Sequence, residues 1–136
     1  MSWMNNQAVN LLERSIDAAG LRQKVLANNI ANIDTPGFKR SDVSFAQQLQ
    51  EALSGQSLAG RRTLAGHIPI GVDKLENVKP EVYQETSTSM RMDGNNVDID
   101  SEMTNLATNQ LQYNALIQQI NYSFGLMKYA ISEGKR

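Results

Sequence analysis

Two segments of the chain, one towards each end, carry apolar residues at alternating three- and four-residue spacing. This spacing keeps one side of a helix facing a partner helix, although it also fits core packing in any helical bundle. The repeat is interrupted only at Gln23 in residues 1–33 and at Gln110 in residues 99–136. The sequence therefore predicts two long helices, each with a seam. The seam residues are Val9, Leu12, Ile16, Gln23, Leu26, Met103, Leu106, Gln110, Tyr113, Ile117, Ile120 and Phe124.

The two interruptions predict how the helices pair. In an antiparallel arrangement, placing Gln23 opposite Gln110 brings the uncharged start of the chain beside its uncharged final segment. A polar residue matched to another polar residue in such a seam fixes the register at some cost in stability. We therefore predict a mainly α fold in which the N- and C-terminal helices form an antiparallel coiled-coil hairpin.

Charged side chains are absent from Met1 to Leu12 and from Met103 to Met127. A surface helix ordinarily carries Lys, Glu and Arg on the side that faces water. Here amides take their place, and an amide costs less to desolvate than a charge. We therefore expect the terminal helices to be covered by other subunits. The amides of the second segment are Asn105, Asn109, Gln110, Gln112, Asn114, Gln118, Gln119 and Asn121.

The helix ends are marked by residues with special backbone roles. Pro36 restricts Thr35 and has no N–H, and Gly37 allows the positive φ of a type II turn, so the first helix should end just before them. Asp98 and Asp100 lie where the unpaired N–H groups and the dipole of a helix favour negative charge. We predict that these two aspartates cap the C-terminal helix.

Between the helices, residues 34–98 form a polar region that we expect to be exposed. A short helix is predicted after Ser44, because serine favours the position before a helix and an apolar face follows it. Residues 55–66 contain three glycines and little to bury, which is typical of a mobile loop. Strand-forming residues from Pro80 to Met92 precede the turn signal DGNN, so this part is predicted to form a small β element.

The composition argues against several classes of function. The chain has 13 basic and 14 acidic residues, so it lacks the field that attracts nucleic acid. It has no cysteine and a single histidine, which leaves no disulfide, thiolate metal site or histidine-based zinc centre. It also has no apolar run long enough to span a bilayer, and we expect no cleaved secretory signal. We predict neither an enzyme nor a cofactor or metal site.

Two motifs suggest chemistry but are incomplete. Residues Gly55–Arg62 have the glycine spacing of a phosphate-binding loop and lack the Lys-Ser/Thr that must follow it. Residues Asp93–Glu102 offer several oxygen ligands but lack the turn glycine and the final glutamate of an EF-hand. A turn followed by a helix cap explains the second motif better than a calcium site does.

One stretch, ANNIANIDTPGFKR from Ala27 to Arg40, resembles the N-terminal signature shared by the bacterial flagellar rod and hook proteins. A second stretch, Asp93–Ile120, is similar to the C-terminal region of the B-type proximal rod proteins in that family of axial proteins. The 136 residues leave no room for the larger inserted domains of the hook and distal rod proteins. The matching signature positions are Asn28, Asn29, Ile30, Ala31, Asn32, Thr35, Pro36, Gly37 and Phe38.

The resemblance implies a structural subunit of the flagellar basal-body proximal rod, a helical tube that transmits torque from the membrane ring to the hook. It implies a hetero-oligomeric assembly with other rod proteins, the ring-to-rod adaptor, the membrane ring and the flagellar type III export gate. It also implies export to the extracytoplasmic basal body without a cleaved signal. In such a tube, the signature amides are expected to contact neighbouring subunits.

Other interpretations fit the sequence less well. A soluble coiled-coil adaptor or secretion chaperone would also have apolar seams and no catalytic chemistry. Such a protein should carry charges beside its seam, which disagrees with the uncharged run from Met103 to Met127. A membrane-inserting translocator is disfavoured by the many amides in the same run.

Overall fold

The computed structural model of the chain describes residues 7–54, 78–87 and 91–133. These residues form three helices and two short strands. The elements are α1 (Gln7–Ala31), β1 (Ser41–Val43), α2 (Phe45–Ser54), β2 (Val82–Gln84) and α3 (Ile99–Glu133). The mobile loop predicted at residues 55–66 lies outside the described residues, as do residues 1–6 of the predicted N-terminal helix and the last three residues of the predicted C-terminal helix.

The two long helices pack against each other. The side-chain amide of Asn109 in α3 donates to the backbone carbonyl of Ala19 in α1 at 2.9 Å. Nearer the start of α3, a carboxylate oxygen of Glu102 accepts a hydrogen bond from Asn29 at 2.9 Å. Because the two contacts follow opposite orders along α1 and α3, the helices are antiparallel. The predicted mainly α fold with paired terminal helices is confirmed.

The register of this pair differs from the one predicted from the two glutamines. Asn109 faces Ala19, whereas Gln110 is exposed and donates to Asn114 in its own helix at 3.3 Å. Ala19 has a small side chain, which leaves its backbone carbonyl within reach of the Asn109 amide. A buried hydrogen bond to the helix backbone, and not a pair of matched glutamines, therefore fixes the register at this level of the hairpin.

The seam of α3 is also rotated relative to the prediction. Glu102 and Asn109 are its buried residues, while Met103 and Phe124 are about half exposed in the single chain. The prediction placed Met103 and Gln110 against α1, whereas Glu102 and Asn109, each one position earlier, are the buried residues in the N-terminal half of the helix. Farther along, half-buried residues keep the predicted spacing. They are Tyr113, Ile117, Ile120 and Met127.

Helix α1 ends two residues earlier than predicted. The N–H of Asn32 is shared between the carbonyls of Asn28 and Asn29 at 3.1 and 3.2 Å, and the N–H of Ile33 reaches the carbonyl of Ile30 at 3.3 Å. The bonds from Asn32 to Asn29 and from Ile33 to Ile30 are of the i to i−3 type, which tightens the last turn. The chain then turns at Gly37, which has a φ of 72° as its sequence predicts.

Helix α3 begins directly after Asp98. The carboxylate of Asp98 accepts a hydrogen bond from the backbone N–H of Asp100 at 3.1 Å, and its carbonyl accepts from the N–H of Glu102 at 2.9 Å. The side chain of Asp98 therefore satisfies one of the N–H groups that have no partner within the helix. Asp100 places a second negative charge in the first turn, where the helix dipole favours it.

The two strands form an antiparallel ladder in which Ser41 pairs with Gln84 and Val43 with Val82. The ladder extends beyond the strands, since Ser44 N–H donates to the carbonyl of Glu81 at 2.9 Å. Strand β2 lies within the predicted β element. Strand β1 was not predicted, because three residues are too few to show the alternation that identifies a strand.

A small apolar core joins α1, α2 and the segment that leads into β2. Ala18, Phe45 and Val78 are buried together, and Val43 and Leu49 pack against them. Phe45 and Leu49 lie four residues apart, so they share one face of α2 and direct that face towards α1. The core is too small to cover α3, which meets the rest of the chain mainly through α1.

Candidate functional site

The signature segment folds around Asn29, which is fully buried at the C-terminal end of α1. Its Oδ1 accepts a hydrogen bond from the N–H of Ser41 at 2.9 Å, and its Nδ2 donates to the carbonyl of Ser41 at 2.8 Å. The same Nδ2 donates to Glu102 at 2.9 Å. The amide of Asn29 thus bonds to the backbone of Ser41 as a neighbouring strand would, and it ties α1 to both β1 and α3.

Next to this amide, Arg40 bonds to three carboxylates from different parts of the chain. Its Nε lies 2.9 Å from Oε1 of Glu102, its Nη1 lies 2.9 Å from Glu85, and its Nη2 lies 3.3 Å from Asp42. The side chain of Glu102 is only 1% exposed. A carboxylate buried to this degree is tolerated only when its charge is paired and its oxygens are hydrogen-bonded. Arg40 and Asn29 together meet both requirements.

The surroundings of Arg40 also affect its pKa. Burial acts to lower it, but the hydrogen bond to Glu85, the charge and hydrogen bond of Glu102, and the charge of Asp42 outweigh burial and raise the pKa above its ordinary value. An arginine guanidinium is already charged at neutral pH, and these neighbouring carboxylates favour its charged form further. Because this ion pair is shielded from solvent at Glu102, salt should weaken it less than it weakens a surface pair.

A second buried amide, Asn95, closes the end of α1. Its Nδ2 donates to the carbonyls of Ile33 and Thr35 at 2.9 and 3.0 Å, with a longer contact of 3.2 Å to that of Asn32. Its Oδ1 accepts from the N–H of Val97 at 2.7 Å. These carbonyls belong to the turn that follows α1, so Asn95 ties that turn to the segment that leads into α3.

The neighbouring Asn96 connects the same turn to the sheet. Its Oδ1 accepts from the backbone N–H of Arg40 at 2.7 Å, and its Nδ2 donates to the carbonyl of Glu85 at 2.9 Å. We name the set formed by the buried residues Asn29, Asn95, Asn96 and Glu102 and the partly buried Arg40 the polar clasp. The polar clasp fixes how the helical hairpin, the turn after α1 and the two-stranded sheet are positioned against one another.

Two glycines let the turns of the clasp come together. The N–H of Gly37 donates to the carbonyl of Asp93 at 2.9 Å, and the φ angles of Gly37 and Gly94 are 72° and 81°. A Cβ on Gly94 would lie 3.7 Å from the Cα of Gly37, which is an ordinary contact distance. The positive φ, and not a lack of space, is therefore the reason why glycine is required at position 94.

Gly94 has a positive φ, whereas Gly20 lies within helix α1, so alanine substitutions at these two positions should have opposite effects on stability. Gly94→Ala should destabilise the chain by about 1 kcal/mol, because alanine is strained at positive φ. Gly20→Ala, within α1 and with open space around it, should stabilise it by up to about 1 kcal/mol. Urea unfolding followed by circular dichroism measures both changes. A Gly94→Ala chain as stable as the parent would contradict the turn geometry described above.

The structure distributes the predicted signature residues over different environments. Asn29, predicted to contact another subunit, is instead buried within its own chain, because both Ser41 backbone groups and Glu102 already satisfy its amide. The Asn32 amide donates to the carbonyl of Asn28 at 2.8 Å. The half-buried signature residues are Ile30, Asn32 and Phe38, and the exposed ones are Asn28, Ala31, Thr35, Pro36 and Gly37.

Four members of the polar clasp were missed by the sequence reasoning, namely Arg40, Asn95, Asn96 and Glu102. Each lies in a stretch whose pattern predicts something else. This is the family signature for Arg40, and a turn followed by a helix cap for the other three. Glu102 is the last charged residue before the uncharged part of α3, and it is seven residues from Asn109, which places the two on one helix face. That spacing was the available signal for a buried polar strip.

The C-terminal part of α3 carries a second apolar strip, which we name the outer stripe. It consists of Tyr122, Leu126 and Tyr129, at four- and three-residue spacing along one face of the helix. These side chains are between 53% and 63% exposed. They lie on the side opposite the half-buried residues Ile120 and Met127, so α3 is apolar on two faces.

An open groove of about 550 Å³ lies between α2 and the α1–α3 hairpin. We name it the α2 groove. Its apolar lining includes Phe45, Leu49 and Leu116, and amides from α3 stand among these side chains. The charged side chain in its lining is Arg22, whose Nε lies 3.3 Å from Asp42. The α2 groove is therefore apolar and nearly neutral.

Within the described parts of the chain, no three His, Asp or Glu side chains are grouped so as to hold a metal ion. The helices of residues 7–54 and 91–133 include none that is both long and apolar enough for a membrane span. The site is thus made of hydrogen-bonded amides, one ion cluster and exposed apolar surface. Such an arrangement organises a fold and presents contact surfaces.

Comparison with known proteins agrees with this description. The family model described as "Flagella basal body rod protein" matches residues 17–39. The flagellar basal body rod protein FlgB of Bacillus subtilis (strain 168) is 40% identical over 124 residues, which cover 91% of this chain and 92% of the relative. FlgB of Borrelia hermsii is 41% identical, with 78% of this chain and 82% of the relative covered. This chain belongs to the FlgB family of flagellar basal body rod proteins.

The family likeness extends over both long helices and the segment between them. FlgB of Escherichia coli (strain K12) is 30% identical over 93% of this chain and 94% of its own length. The matched region 17–39 covers the second half of α1 and the turn, so it includes Asn29 and Gly37. It ends one residue before Arg40. In this member of the family, the signature therefore contributes to the fold of the single chain.

Proposed function

We propose that this chain is a structural subunit of the proximal rod of the bacterial flagellum, packed into a helical tube that transmits torque from the membrane ring to the hook. Membership of the FlgB family supports this role. The observation that carries it is the surface of α3, which has 35 residues and of which only Glu102 and Asn109 are buried in the described chain.

A helix of this length spans roughly 52 Å, far more than this small core can cover. Large apolar side chains are exposed along it, and the run from Met103 to Met127 has no charge to keep it in water. Extended apolar surface on a single chain marks a site of protein contact. The presence of amides in the same run favours protein neighbours over lipid, because amides need hydrogen-bonding partners.

In the proposed tube, the terminal segments, residues 1–33 and 99–136, pack against those of neighbouring subunits. Contacts between different surfaces of like subunits build an open helix. Transmission of torque requires several contacts for each subunit, and a long helix exposed on more than one side provides them.

The proposed partners are the other rod proteins, the ring-to-rod adaptor, the membrane ring and the flagellar type III export gate. The subunit would reach the extracytoplasmic part of the basal body through that export apparatus, without a cleaved signal. It acts by assembly and carries out no reaction. The alternative of a soluble coiled-coil adaptor or secretion chaperone has no support in the family comparison.

Electron microscopy of isolated basal bodies tests the proposal. A chain with an epitope inserted in residues 55–66 should restore motility to a strain that lacks its own copy, and gold-labelled antibody should mark the base of the rod. The control carries the same epitope in a cytoplasmic protein of similar size. Restored motility with the label absent from basal bodies, or a label confined to the cytoplasm, would refute the role as a rod subunit.

A further inference from the structure

We propose that the α2 groove of one copy of the chain receives the outer stripe of α3 from a second copy. This inference rests on the proposed function and specifies one of its subunit contacts. The two surfaces are chemically matched, and they occupy different places on the chain.

The groove selects for an uncharged, partly apolar occupant. Its floor is formed by Phe45, Leu49 and Leu116, so an inserted charge would be desolvated without a counter-charge. Arg22, the charged residue in its lining, is paired with Asp42. The exposed amides Gln112 and Gln119 also line the groove and can bond to a polar tip on an otherwise apolar side chain.

The outer stripe has the properties that this groove requires. Leu126 is apolar, and Tyr122 and Tyr129 each combine an apolar ring with a hydroxyl that can bond to an amide. Lys128 lies well away from that face, beside Phe124 and Ile131, whereas Glu133 continues the face four residues after Tyr129. The part of the stripe from Tyr122 to Tyr129 can therefore enter an apolar groove without carrying a charge into it, with Glu133 left in water beyond the end of the groove.

The stripe cannot fill the groove of its own chain. The α3 residues that line the groove end at Gln119, whereas the stripe begins at Tyr122 and lies farther along the same rigid helix. The midpoints of the two surfaces are separated by about 18 Å along α3. An outer stripe that enters the groove therefore comes from another molecule, and a contact between two different surfaces leaves each copy able to bind a further one.

Cross-linking through introduced cysteines tests this contact, and the natural sequence has no cysteine to interfere. Ala46 is exposed and lines the groove, and Leu126 lies in the stripe. Full-length Ala46→Cys chains, mixed with Leu126→Cys chains of different tag length and oxidised, should form the mixed disulfide. The matched control replaces Leu126→Cys by Ser101→Cys, which is exposed at the other end of α3. We expect at least tenfold less product with the control.

Equal yields for Leu126→Cys and Ser101→Cys would overturn the inference, as would products formed only between two Ala46→Cys or two Leu126→Cys chains. A second test adds Leu126→Glu to a chain that carries Tyr122→Cys. The yield of its mixed disulfide with Ala46→Cys chains should fall by a similar factor, because the new carboxylate would have to enter the groove. Failure of these experiments, with the epitope still found at the base of the rod, would refute this contact and leave the rod assignment intact. Absence of the epitope from the rod would refute the assignment itself.

Discussion

Arg40→Met is expected to lower the free energy of unfolding by about 3 kcal/mol. The change leaves the carboxylate of Glu102 buried without its cation, and breaking a buried ion pair in this way costs about 3–5 kcal/mol. The lower end applies because the side chain of Arg40 is 19% exposed, so water can replace part of the lost contact. Urea unfolding at neutral pH, followed by circular dichroism, measures the difference.

The control for Arg40→Met is Lys24→Met, which removes an exposed cation from α1 and should change stability by less than about 0.5 kcal/mol. A second variant separates charge from packing. Arg40→Met combined with Glu102→Leu removes both charges, and it should recover part of the stability lost in Arg40→Met. If the double variant were less stable than Arg40→Met alone, the unpaired charge of Glu102 would not be the reason why Arg40→Met loses stability.

The helical part of the fold was predictable because its signals are local. Apolar spacing defined the two long helices, Pro36 and Gly37 marked the end of the first, and Asp98 marked the start of the second. These features depend on residues within a few positions of one another, and helical geometry links them directly. Helix ends were predicted to within two residues where the structure describes them.

The polar clasp was not predictable in the same way. Asn29 bonds to Ser41 and Glu102, and Arg40 bonds to Glu85 and Glu102, across separations of up to 73 residues. Sequence patterns give no partner for an amide or an arginine at such distances. The general expectation that charged residues face water gives no reason to bury Glu102. Its burial becomes understandable only with Arg40 and Asn29 beside it.

Because the polar clasp uses signature amides within the chain, other surfaces must supply the contacts with neighbouring subunits. An asparagine-rich segment in an assembling protein suggests contacts with neighbouring subunits, but the most buried of these amides, Asn29, is fully used within the chain. Most of the large apolar side chains that are exposed in the described residues lie on α3, on two of its faces. We infer that the signature shapes each subunit, and that the long C-terminal helix supplies much of the contact between subunits.

Asn29→Leu should reveal this division of roles most directly. Leucine has the branched shape of asparagine but is larger and cannot hydrogen-bond, so the N–H and carbonyl of Ser41 and one oxygen of Glu102 lose a partner. Each unsatisfied buried group costs about 1–3 kcal/mol, and we expect a total loss of about 3 kcal/mol or more. Soluble protein and incorporation into basal bodies should therefore fall together, since the damage precedes assembly.

Asn28→Leu is the matched control, because the substitution is the same and Asn28 is exposed at the adjacent position of α1. It should alter the free energy of unfolding by less than about 0.5 kcal/mol and leave the yield of soluble protein unchanged. Any effect it has on basal bodies would then come from a contact with another subunit. If Asn29→Leu kept full stability in urea and lost only incorporation, Asn29 would act between subunits, and the polar clasp would not be what holds this turn in place.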